Sequence, residues 1–254
     1  MIYFAIVFIA TLVGGISGMG GGVIIKPALD MMQAFDLATI SALSSITVLT
    51  MCVVSVVKNL RDRFKIDVEI VLLGLASLVG GVAGNQLFRF SQQLFGDIPT
   101  NMIQIILSLL FLLFALFHSR FQKRAIQRKL AFIITGFLLG SSSAYIGIGG
   151  GAIDVAVLTV FFGFDIKKSV RSSLFIILLS QLMNVCTTAV SPGYGQFDLT
   201  PLYYMLPAAV VGGFLGTLLC KKLSEKTVHT IYSITVLAII CLNLYNLVVL
   251  CISL

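Results

Sequence analysis

The chain has 254 residues, 58% hydrophobic and 11% charged, and its mean hydropathy of +1.07 is far above that of an ordinary soluble domain. Its net charge of +7 does not point to nucleic acid, because the Lys and Arg residues sit in short loops between apolar runs and not on one basic face. Five scattered cysteines without CxxC spacing, two histidines without an HExxH partner and the lack of a GxSxG motif argue against a metal site and a membrane enzyme; no cofactor is expected.

The opening stretch, Met1 to Val13, lacks the basic start and convincing cleavage pattern of a secretory leader, and is expected to remain as a membrane segment. It belongs to an apolar region, residues 1–35, interrupted by Gly18-Met19-Gly20-Gly21-Gly22. Unbroken runs follow at 37–57, 68–88 and 101–118, each close to the ~20 residues a spanning helix needs. A basic linker, 121–128, leads to a second broken region, 130–164, interrupted by Gly147-Ile148-Gly149-Gly150-Gly151, and then to runs at 169–190, 199–219 and 228–250. No stretch suits a separate soluble domain.

The two broken regions correspond. Gly18 to Gly22 aligns with Gly147 to Gly151, and Phe35-Asp36 aligns with Phe164-Asp165 at the same offset of 129. Gly80-Gly81-Val82-Ala83-Gly84 is answered by Gly212-Gly213-Phe214-Leu215-Gly216, with Asp67 and Asp198 preceding them at nearly the same distance. Apolar segments resemble one another by chance, but glycine clusters and Phe-Asp pairs in constant register favour duplication, with repeats at 1–120 and 129–254.

Charge gives an orientation. If every region crosses the membrane once, 8 basic residues fall on one side and 9 on the other, which carries no bias. If each broken region enters and returns, the loops around Lys58–Lys65, Arg120–Lys129, Lys167–Arg171 and Lys221–Lys226 place 15 on the cytoplasmic side, against Lys26 and Arg89 outside. The positive-inside rule selects the second arrangement. The arm from Val23 to Phe35 agrees, since it would rise only ~20 Å at ~1.5 Å per residue, short of a ~30 Å hydrocarbon core. Each repeat then holds one re-entrant hairpin and three crossings, an odd number, so the halves are inverted. The expected fold is therefore an all-α integral membrane protein of two inverted repeats. It should be multi-pass in the cell membrane (plasma or inner), with both termini outside.

A helix is broken within a bilayer only where protein or water surrounds the break, so the glycine clusters mark an interior. Half-helix N-termini present unpaired N–H groups suited to anions, which makes Gly18, Gly20, Gly21, Gly22, Gly147, Gly149, Gly150 and Gly151 candidate substrate contacts. Glycine also permits close helix packing, and that is the reading for Gly80, Gly81, Gly84, Gly212, Gly213 and Gly216.

The run Gly14-Gly15-Ile16-Ser17-Gly18-Met19-Gly20-Gly21-Gly22, its second copy at Gly147 to Gly151 and the Phe-Asp turns that follow resemble the TauE/SafE (sulfite exporter) family of membrane permeases. The resemblance spans essentially the whole chain and implies secondary transport of a sulfur oxyanion or organosulfonate. One departure bears on substrate. Where second copies often carry Gly-Thr-Ser-type residues after the hairpin, this chain has Arg171-Ser172-Ser173.

Polar residues in apolar surroundings complete the expected site. Lys26 and Asp154 lie just past the two breaks, where intramembrane charge usually has a function. Lys26 either holds the anion, pairs with Asp154 or snorkels to the interface; Asp154 either carries a coupling proton or caps locally. Arg171 offers a guanidinium fork for an oxyanion or serves as a topology charge. Ser172 and Ser173, with Ser44 and Ser45 in the first half, are hydroxyl donors or packing residues. Asn85, Gln86, Gln181 and Asn184 need buried partners, either on other helices or along a pore. The functional expectation is a secondary carrier of a small anion by alternating access. It leaves room for a coupling proton or sodium ion and for a homodimer; an anion channel, or a carrier of another small solute, is the alternative.

Overall fold

The computed structural model describes residues 2–64, 66–117, 126, 128–147, 150–190 and 193–252. Gly149 and the topology charges Lys65, Arg120, Lys123 and Arg124 lie outside the described residues. Among those described, the chain is helical without strands. The first broken region forms α1 (Ile2–Ser17) and α2 (Gly22–Met32), followed by α3 (Leu37–Arg61), α4 (Val68–Phe95) and α5 (Asp97–Phe117). The second forms α6 (Lys129–Ile146) and α7 (Gly151–Phe161), followed by α8 (Ile166–Val190), a 3-10 turn at Tyr194–Gln196, α9 (Leu202–Lys222) and α10 (Glu225–Ile252).

Seven helices, α3 to α6 and α8 to α10, are long and apolar enough to cross a membrane. The sequence runs account for six of these, and α6 joins them at 18 residues. By contrast α2 and α7 have 11 residues each, a rise of only ~16 Å, about half a hydrocarbon core. The outer surface is apolar, with Ile9, Val79, Leu110, Leu138, Leu237 and Val248 each more than half exposed. Such a surface is stable against lipid and would aggregate in water.

Both broken regions fold back on themselves. Glycine is required at the turns, because Gly18, Gly20, Gly21, Gly147 and Gly150 all adopt left-handed φ between 63° and 79°, a region costly for residues with a Cβ. The chain leaving α2 returns to the start of α1, where the Phe35 ring lies 6.2 Å from Tyr3. Likewise the end of α7 meets the start of α6: Ile126 N donates to Phe161 O at 3.0 Å and Phe132 stacks on Phe162 at 4.1 Å. The Phe-Asp pairs have a local cause, since Asp36 accepts from the Thr39 backbone N–H ahead of α3 and Asp165 accepts from that of Lys168 ahead of α8. Each is a helix N-cap that starts the next span.

The helices pack as crossed pairs: α1 on α9, α4 on α6, α3 on α8 and α5 on α10. Two of these are close contacts built on glycine. A methyl at Gly80 would meet Phe137 O at 2.2 Å and one at Gly84 would meet Ser141 O at 2.1 Å, while Gly212 and Gly216 would meet Phe8 O and Leu12 O at 2.8 and 2.3 Å. These glycines let backbones approach where lipid supplies no hydrophobic drive for association.

Candidate functional site

At the centre the two glycine breaks touch. A Cβ on Gly151, the first residue of α7, would lie 2.5 Å from the Met19 backbone, and one on Gly18 would meet Ser173 Oγ, Val170 and Val155. Ser173 Oγ donates to Gly18 O at 2.8 Å, tying α8 to the first break. Gly18, Gly151 and Ser173 therefore pack closely on one another. Gly20 packs on Ile177 and Val48, Gly21 on Ala10 and Thr11, and Gly150 on Ser143. Gly22 is buried at the start of α2.

Lys26 serves a helix end. It is 3% exposed, and its Nζ donates to Ile146 O and to Gln104 Oε1, both at 2.6 Å. Gln104 in turn donates to Tyr145 O. The last carbonyls of an α-helix lack intrahelical partners and carry its negative pole, so a cation there is favourable. The pairing of Lys26 with Asp154 is not formed, because the ammonium is directed to α6 and to Gln104 on α5. Asp154 is 1% exposed, and its Oδ1 has no hydrogen-bond partner.

A cavity of about 250 Å³ lies beside the second break. Its walls come from the first half of α3 (Ser41, Ser45), the second half of α4 (Asn85, Arg89, Gln92), Gly147, and the end of α8 (Asn184, Thr188), with the Tyr194–Phe197 segment over it. It runs from the exposed Gln93 and Gln196 down to the buried Ser45 and Asn184. At its floor Asn184 donates to Ser45 Oγ at 2.9 Å; on one wall Asn85 donates to Thr188 Oγ1 at 3.4 Å. Arg89 donates to Thr187 O at 3.4 Å and is the cation among the lining residues, which include no carboxylate. The Tyr194 hydroxyl donates to Val185 O at 3.1 Å, and burial pushes this phenol up to about 12, so it stays neutral and able to donate. The space equals about eight waters, smaller than typical drug-sized pockets.

Of the residues singled out in the sequence, Ser45, Asn85, Gly147 and Asn184 line this cavity. Ser44 and Ser172 are fully buried with unpartnered hydroxyls. Arg171 lies at the far end of α8, over the Phe64 ring at 5.5 Å. Arg89 was expected only as an outer topology charge. A signal for it was present, since Asn85, Arg89 and Gln92 follow i, i+4, i+7 spacing and share one helical face.

The opposite ends of the same helices are closed by charge. Lys168 Nζ meets Asp67 Oδ2 at 2.5 Å, joining α8 to the start of α4. Asp62, just past α3, takes Lys58 at 3.1 Å and Lys221 of α9 at 3.2 Å.

A curated relative, the probable membrane transporter protein YunE of Bacillus subtilis (strain 168), is 25% identical over 261 aligned residues, covering 94% of each chain. No solved structure matches the chain significantly. The family profile described as sulfite exporter TauE/SafE matches residues 3–244. Its match over nearly the whole length, together with the span-length apolar helices, places this multi-pass membrane protein in the TauE/SafE family of transporters.

Proposed function

We propose that the protein is a secondary carrier of a small anion, a sulfur oxyanion or organosulfonate, working by alternating access between two inverted halves. The observation that carries this is the cavity itself: small, lined by amides and hydroxyls, with Arg89 as its cation and no carboxylate on its walls. A guanidinium fork suits the geometry of an oxyanion, and Asn85, Asn184 and Ser45 supply neutral polar contacts around it. The cavity opens at one end of α3, α4 and α8 while ion pairs close the other, which supports a carrier caught in one facing state over a pore open at both ends.

The inverted arrangement is supported by contacts that recur between halves. Gly80 and Gly84 on α4 meet residues 137 and 141 of α6, and Gly212 and Gly216 on α9 meet residues 8 and 12 of α1, positions 129 apart. On the orientation read from charge, the cavity faces outside and the ion-paired end faces the cytoplasm. Asp154 is the proposed coupling group, on the ground of a carboxylate oxygen buried without a partner.

The test is flux in proteoliposomes of sulfite, sulfate, thiosulfate, taurine and sulfoacetate, with and without proton and sodium gradients. Arg89→Gln should raise the KM for the carried anion about tenfold, the scale of one lost charge-assisted hydrogen bond, with Arg89→Lys intermediate. No flux of any anion would sink the reading, and single-channel currents would replace it with a channel.

A further inference from the structure

The open cavity has a closed counterpart at the other end of the bundle. Around the second break, Gly147 is met by Ser41 and Lys26; around the first, Gly18 is met by Val170 and Val155. These neighbours are 129 residues apart, like the glycines themselves. For α4 and α9 the register is 132, from Gly80 to Gly212 and Gly84 to Gly216. The same two registers carry the cavity wall onto a second set of residues. Gly147 becomes Gly18, Ala42 becomes Arg171, Thr188 becomes Asn59, Asn85 becomes Thr217, Phe88 becomes Cys220 and Arg89 becomes Lys221.

This second set has the chemistry of an anion site. Arg171 and Lys221 are cations on α8 and α9. Thr217 supplies a hydroxyl, and Asn59 is 5% exposed with its Nδ2 donor unpartnered. Cys220 is 3% exposed, although it occupies the last turn of α9 beside Lys221. The carboxylate of Asp62 lies against Lys221 at 3.2 Å and against Lys58, and Asp67 holds Lys168 across the neighbouring helices. Partly exposed pairs of this kind add little stability, so they can break and re-form in a working cycle.

We infer that Arg171, Lys221, Asn59 and Thr217 form a second, alternately exposed anion site, and that Asp62 is its gate, occupying Lys221 until a small anion replaces it. This rests on the carrier reading above. It gives Arg171 the anion role at the face opposite the cavity, and it gives Lys221 and Asn59 roles that neither family membership nor motif assigns. When the end opens, Lys221 and Arg171 turn from Asp62 and Phe64 to the anion, Asn59 gains its missing acceptor and Cys220 meets water.

Cys220 makes this measurable in the purified full-length protein. N-ethylmaleimide modification of Cys220, followed by peptide-resolved mass spectrometry in detergent, should be slow in the native chain. It should accelerate at least tenfold in Asp62→Asn, and in Asp67→Asn as an independent opening of the same end. Sulfate should slow the accelerated reaction in a concentration-dependent way, and adding Lys221→Gln should abolish that protection while labelling stays fast. Labelling unchanged in both Asp variants, or accelerated labelling that sulfate never slows, overturns the second site. Anion flux with Cys220 unreactive in every variant removes the site and leaves the carrier reading intact. Sulfate-protected labelling without flux of any anion keeps the site and removes the carrier reading.

Discussion

Lys26 shows how one buried charge can hold a helix end. Its ammonium satisfies Ile146 O directly and Tyr145 O through Gln104, so it fastens the end of α6 beside Gly147 on the cavity wall. Lys26→Met keeps an unbranched apolar side chain and leaves Ile146 O and Gln104 Oε1 buried without this donor, while Tyr145 O keeps Gln104. The expected loss is about 2–3 kcal/mol, the scale of a hydrogen bond to a charged group. A thermal unfolding midpoint in detergent equal to that of the native chain would remove this role. Asp154 is the reverse case, a buried carboxylate whose Oδ1 has no partner. Asn keeps its shape and cannot release a proton, so Asp154→Asn should abolish uptake or efflux driven by a pH gradient in vesicles. Unaltered pH-driven transport would exclude Asp154 from coupling. The sequence exposed both residues as intramembrane charges, but it could not separate their roles, because the acceptors that meet Lys26, Ile146 O and Gln104 Oε1, lie 120 and 78 residues away.

At the scale of elements, glycine spacing was the most legible signal and side-chain partners the least. Reading apolar runs ended the fourth helix at Phe88, yet α4 continues to Phe95, because Arg89, Gln92 and Gln93 line a cavity that an apolarity count does not see. Which walls enclose that cavity depends on α3, α8 and the Tyr194–Phe197 segment, and no local pattern brings these together. The glycine ladders are testable directly. A methyl at Gly84 would sit 2.1 Å from Ser141 O, a backbone atom that moves only with its helix. Gly84→Ala should destabilise the α4–α6 contact by about 1–3 kcal/mol, the range for overpacking, and Gly216→Ala should do the same at α1–α9. Gly195→Ala, with open space around it, serves as the control. Equal unfolding midpoints for all three would show that the close approaches carry no stability. The ion-paired end makes a different demand. Hydrogen bonds from Lys58 and Lys221 hold the Asp62 carboxyl below the usual carboxylate range. A depressed carboxyl contributes its stabilisation above the unfolded titration and loses it only as pH falls through the folded one. Lowering the pH from about 7 to about 5 should therefore leave the labelling rate of Cys220 unchanged once the maleimide's own pH dependence is divided out with a free-thiol standard; a rate that rises on acidification would place the closing charge elsewhere.

For the molecule as a whole, the proposed inversion of the halves would join charge, fold and function. Charge counting alone selects the arrangement in which the broken regions return to their starting side, and in the structure Phe35 comes back to Tyr3 and Phe161 to Ile126. On the proposed topology α1–α2 and α6–α7 are re-entrant hairpins, α6 included although it is long enough to span, so α3, α4 and α5 would make three crossings and α8, α9 and α10 three more. An odd number of crossings would put the second half upside down relative to the first, and three more would return the chain to the side on which it began. The end of α10 would then lie opposite the loops carrying Lys58, Lys168 and Lys221. Cys251 is exposed in the last turn of that helix, so a membrane-impermeant maleimide should modify it from outside intact cells, in a chain whose other cysteines are replaced by alanine. Cysteine introduced at Arg63, beside the Asp62 ion pair, should react only after the membrane is permeabilised. Cys251 labelled only after permeabilisation would place one hairpin fully across the bilayer. The halves would then lie parallel, and both the shared contact register and the exchange of the Arg89 and Lys221 sites would need another origin.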